Sequence, residues 1–174
     1  ALDNLDRWAT SNVRPPPSQY PQKSNETLVD GKEWRKQFPK IPGIAVPRGP
    51  AKLPSLDFGP EFEKGILTLE PPQVLDSEGY TTQVPAVDSD GNDQGCLCAP
   101  MVAAPLATYT GWNLRSRGQG HGAMHKFTGS TIPFAETPEE RNATEDPRPS
   151  ILERYTNSED YVKAIRKAAI QLVK

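Results

Sequence analysis

Nineteen prolines in 174 residues constrain this chain more than any other feature. An average protein carries about 5 % proline, roughly half this density. Each proline fixes φ, removes an amide donor and pushes the preceding residue out of the helical region. A helix bundle is therefore excluded. Short helices and strands joined by stiff, extended coil remain. The apolar share is 35 %, against the ~45–50 % of globular chains, a figure that also counts glycine. The core must then rest on a few large side chains. The longest run with little charge is Ala104 to Arg115, A-P-L-A-T-Y-T-G-W-N-L-R, which holds one of three tryptophans. Tyr109 and Trp112 flank Gly111, and Asn113 and Arg115 set an amide and a guanidinium beside them. Two readings stay open: a core seam, or one wall of a pocket with Tyr109, Trp112, Asn113 and Arg115 as its candidates. Tryptophans are more often core than ligand platforms, which favours the seam.

Along the chain, Leu2, Leu5, Trp8 and Ala9 follow one helix face within residues 1–13. R-P-P-P-S-Q-Y-P (14–21) opens a proline-rich segment, 14–79, expected to wrap as ordered coil. Ile41, Ile44, Val46, Leu53, Leu56 and Phe58 would anchor it, and disordered segments lack such a supply. Within it, Lys32 to Phe38 reads as a short helix and Gly65 to Leu69 as a short strand. Residues 80–136 hold the expected β-hairpin (80–99, turning at Asp88–Asn92), the Tyr/Trp seam and a glycine-rich loop around His121. Residues 137–174 read as helices: Thr137 followed by Pro138 and Glu140 marks one start, and Asn157 or Ser158 another. Val162, Ile165, Ala169 and Leu172 form the apolar face of the last helix, with Lys174 on its solvated flank. Helical patterns that are under way at Ala1 and Lys174 lead us to expect a chain cut from a longer protein.

Few chemistries fit. A formal charge of −2 with mixed signs gives no basic footprint for nucleic acid. No apolar run approaches the ~18 residues of a membrane span. Asp88, Asp90 and Asn92 start like a calcium loop, but Asp93 and Ala99 stand where glycine and glutamate are required, so a turn is the better reading. His121 and His125 lie among glycines that oppose the helix needed to aim both at one metal. No metal and no cofactor is expected. Cys96 and Cys98, at i and i+2, are read as small buried hydrophobes or as partners of cysteines elsewhere. Asn25-Glu26-Thr27 and Asn142-Ala143-Thr144 are glycosylation candidates, given a secreted eukaryotic source. There is no G-x-S-x-G elbow, so no catalytic residue is assigned.

The segments T-Y-T-G-W-N-L-R, T-G-S-T-I-P-F-A-E-T-P-E-E-R and D-P-R-P-S-I-L-E-R-Y resemble the C-terminal region of a family of α/β-hydrolase-domain proteins. L-D-R-W-A-T, P-P-P-S-Q-Y-P, F-P-K-I-P-G, L-D-F-G-P and V-D-S-D-G-N are similar to the same family in the same order. The resemblance implies an α/β fold, a doubly wound sheet which this chain extends. By itself the chain would be proline-rich α+β, with short helices, a β-hairpin and long ordered coil. It further implies a large exported, secreted or periplasmic, esterase-like serine hydrolase acting on carboxylic esters or lactones. The family's nucleophile, in a G-x-S-Q-S-G context, and its histidine would precede Ala1, in an N-terminal hydrolase body that is this chain's expected partner. The alternative is a non-catalytic module that wraps a partner protein.

Overall fold

The computed structural model describes residues 2–50, 53–76, 79–125 and 127–173. Ala1 and Lys174, where the expected helical patterns meet the chain ends, lie outside them. The helices are α1 (Leu2–Ser11), α2 (Gly31–Gln37), α3 (Pro100–Ala103), α4 (Pro138–Thr144), α5 (Ile151–Arg154) and α6 (Ser158–Val173). The strands are β1 (Leu28–Asp30), β2 (Ser55–Asp57), β3 (Gln73–Asp76), β4 (Gln83–Pro85), β5 (Ala107–Thr110), β6 (Asn113–Leu114), β7 (Met124–His125) and β8 (Ser130–Pro133). They pair antiparallel in twos: β1 with β4, β2 with β3, β5 with β8, β6 with β7. No parallel pair occurs among the described residues, so α+β describes this chain.

Local signals set the helices. The Asp30 carboxylate accepts from the Lys32 and Glu33 amides, each at 2.8 Å, and caps α2. Thr137 caps α4, Ser150 and Glu153 form a capping box on α5, and the Asn157 side chain accepts from Asp160 N at the head of α6.

Strand pairing departs from expectation. β4 does not turn back onto residues 95–99 but pairs with β1, aligning Val84 with Val29. Only Val87 and Asp93 bridge across the Asp88–Asn92 turn. The reason lies in the turn itself. Asp90 and Asn92 are buried and bind the interior, which draws the following chain away from a hairpin. A hairpin forms instead at β6 and β7, with the glycine-rich residues 115–123 as its long loop. Gly65–Leu69 is not a strand, because the Thr68 and Leu69 amides both turn onto Phe58 O. β2 and β3 pair around that loop.

The core is small. Trp34, Phe38, Ile41, Val87 and Ile132 are buried together, with Val29, Val46, Val84 and Trp112 packed against them. Trp34, Phe38 and Trp112 make a three-ring contact, with centroids 5.0, 6.0 and 5.8 Å apart. Of the expected coil anchors, Ile41 is buried and Val46 and Phe58 are half-buried, whereas Ile44, Leu53 and Leu56 are exposed.

Candidate functional site

Two clefts meet at Asp93, directly after the Asp88–Asn92 turn, and the turn is built first. Asp88 Oδ1 accepts from the Asp90 and Asn92 amides, both at 2.9 Å, closing the loop on itself. The Asn92 side chain accepts from Tyr109 N at 2.8 Å and reaches Ala107 O, which fixes the turn to β5. Asp90 receives a two-pronged ion pair from Arg154, with Nη1 donating at 2.6 Å. Thr108 Oγ1 donates to Asp90 O and accepts from Arg148 Nη1.

Arg148, 2 % exposed, is the hub. Its remaining donors reach Ile132 O, Pro133 O and both Asp146 oxygens. The Phe134 ring lies between two guanidinium groups, Arg154 at 4.0 Å and Arg148 at 5.0 Å. Desolvation raises the Asp146 pKa, but the hydrogen bonds from Arg148 outweigh it and leave the carboxyl below its ordinary value. The network ties the 88–92 turn, β5, β8 and the 146–154 segment into one rigid frame.

Beside this frame an open cleft of mixed character, about 720 Å³, is lined by Asp88, Asp90, Asp93, Cys98, Arg154 and Tyr155 together with Val102, Ala103 and Pro105. Its groups are poorly set for nucleophilic chemistry. Cys96 is not among its lining residues, and desolvation and nearby Asp93 raise the pKa of that thiol, which favours thiol over thiolate. Desolvation likewise raises Tyr155. Arg154 is committed to Asp90.

The second cleft is apolar and measures about 230 Å³. Trp34, Trp112, Val84 and Met124 line it, together with Pro47, Pro50 and Pro85. A Cβ on Gly31 would stand 2.6 Å from Pro50 Cδ, so the 47–50 coil approaches the head of α2 only because that residue is glycine. Asp93 borders both clefts. The residue is exposed overall, and partial desolvation of its carboxyl, then nearby Asp88, pushes it above the ordinary value.

Of the four residues singled out from sequence, Trp112 lines the apolar cleft. Tyr109 is half-buried on β5, its amide held by Asn92. Asn113 is exposed and accepts from the adjacent Leu114 amide. Arg115 is exposed at the mouth of the β6–β7 loop, its backbone paired with Gly122 and Ala123. The four do not converge on one pocket. His121 is exposed in that loop, and His125 Nδ1 shares a 2.9 Å hydrogen bond with the Thr128 hydroxyl. Asn25 is exposed in a turn, where its side chain accepts from the Thr27 hydroxyl at 2.6 Å, and Asn142 is exposed on α4. Cys96 and Cys98 are half-buried free thiols.

Sequence reading missed Trp34 and Asp93 beside Trp112, and the Asp146–Arg148 and Asp90–Arg154 pairs. D-P-R-P did contain a signal: an arginine and an aspartate held at fixed spacing between prolines.

No curated protein and no solved structure matches the chain. The family model described as alpha/beta hydrolase domain matches residues 1–174. The chain belongs to that alpha/beta hydrolase family.

Proposed function

We propose that this chain is the C-terminal part of a secreted or periplasmic serine hydrolase of carboxylic esters or lactones. In this reading a preceding hydrolase body supplies the nucleophile and histidine. This chain packs on that body, and of the four residues singled out from sequence only Trp112, which lines a cleft, is carried forward as a wall candidate.

Surface is the observation that carries the reading. The chain exposes 12750 Å², where a compact chain of its size exposes about 8,400 Å². Large apolar side chains share in that exposure. Leu2, Leu5 and Trp8 on α1 are 83 %, 57 % and 49 % exposed, and α1 has no buried residue. Leu53, Leu67, Val74 and Leu75 along the β2–β3 ribbon are also exposed. Apolar area on that scale is characteristic of an obligate interface. The same exposed ribbon favours the second reading, a non-catalytic module that wraps a partner.

The test compares the 174-residue chain with the product of the same reading frame extended upstream, using short-chain p-nitrophenyl esters and a lactone. Turnover by the longer protein alone, blocked by a serine-directed inhibitor, is expected. Inhibitor-sensitive turnover by the short chain, or none by either, would sink the proposal. For Asn25 and Asn142, intact mass before and after deglycosylation of secreted material decides occupancy.

A further inference from the structure

We infer that the Trp34–Trp112 cleft is a binding site for a small aryl-alkyl ammonium: a single ring seated on the tryptophans, with its cationic end at Asp93. The inference goes beyond the hydrolase reading and stands without it, because equilibrium binding to this chain needs no nucleophile.

Size limits the ligand first. The cleft encloses about 230 Å³, and an apolar cavity of about 150 Å³ is enough to hold benzene. One ring and a short arm fit, while a drug-sized molecule does not. The walls select a ring. Trp34 and Trp112 meet edge to face at 83°, and prolines 47, 50 and 85 give walls with little conformational freedom to lose on binding.

Charge selects the other end. Asp93 is the one ionisable side chain among the described residues that line this cleft, and no lysine or arginine is among them. Asp93 is an exposed residue at the edge of the cleft, its carboxyl has no hydrogen-bond or ion-pair partner among the described residues, and partial desolvation and Asp88 both oppose its charge. An ammonium would relieve both, and tryptophan faces add cation–π attraction. A carboxylate or phosphate would meet Asp93 and Asp88 with like charge. Of the neighbouring guanidiniums, Arg35 donates to the carbonyl of Pro47 in the cleft wall, and Arg154 faces the other cleft and is held by Asp90.

The experiment titrates the 174-residue chain with benzylammonium, benzyl alcohol and benzoate, three probes sharing one ring. A Trp8→Phe background leaves Trp34 and Trp112 as the fluorescent reporters, and Trp8 is exposed on a helix without buried residues. Benzylammonium is expected to bind at least about tenfold tighter than benzoate at neutral pH. Asp93→Asn should shrink that gap to roughly threefold or less, leaving benzyl alcohol unchanged. Asp93 is exposed and makes no side-chain hydrogen bond among the described residues, so Asp93→Asn should fold, which far-UV circular dichroism checks. No saturable response to any probe would overturn the site. Equal binding of benzoate, or an ammonium preference that survives Asp93→Asn, would overturn its assigned chemistry.

Discussion

Arg148 sits almost without water contact, yet every branch of its guanidinium has a partner. Such a group contributes little against an apolar substitute, but removing one half of its pair is costly. Arg148→Met should therefore destabilise by about 3–5 kcal/mol in urea denaturation, because Asp146 keeps its charge and loses its guanidinium partner, retaining only the residue-148 amide and the field of Arg141. Adding Asp146→Asn should recover a large part of that loss. The pair also sets a pH dependence. The folded pKa of Asp146 lies below its ordinary value, as do those of Asp30, capped by the Lys32 and Glu33 amides, and Glu153, bonded to Ser150. The stability these groups lend is complete above about pH 5 and is lost as pH falls through their folded values. Thermal melts at descending pH should show Tm falling below about pH 4, and Asp146→Asn should flatten part of that fall. Gly91 is the other residue-scale constraint. Its φ is +82°, and a Cβ there would lie 3.0 Å from Thr108 and 3.1 Å from Phe38. Gly91→Ala should cost about 2–4 kcal/mol, from left-handed strain and overpacking together.

At the scale of elements, helices with local caps stand where sequence reading expects them, and the strands do not. Thr137, Ser150 and Asn157 all bond amides within three residues of themselves, so their signals survive any tertiary arrangement. Thr137→Ala should cost about 1 kcal/mol, measurable as a small shift in the urea midpoint with an unchanged m-value. β4, by contrast, pairs with β1, more than fifty residues earlier. Nothing in Tyr80–Val87 distinguishes that neighbour from the nearby 95–99 segment. The choice falls to Asp90 and Asn92, whose partners lie 64 and 17 residues away. Asp90→Ala should therefore loosen the turn and the 149–155 segment together, read as faster amide exchange in both. Exchange confined to the turn would show that Arg154 does not couple them.

For the whole molecule, apolar area outruns enclosure. If the exposed faces of α1 and the β2–β3 ribbon pack on a hydrolase body, the isolated chain should bind ANS strongly, and the longer protein should bind it weakly per mole. Equal ANS binding by both would place those faces on the outer surface. The sequence by itself determined what depends on neighbours within a turn or two: the stiff coil, the caps, the helix of residues 158–173 and the family motifs. It also determined that no nucleophile elbow lies in these residues. Only the tertiary structure decided the strand partners, the Arg148 frame and the meeting of Trp34 with Trp112 at a cleft bordered by Asp93. Contacts across such separations depend on the closure of long loops and on which polar groups find partners when buried. Neither is written in local spacing.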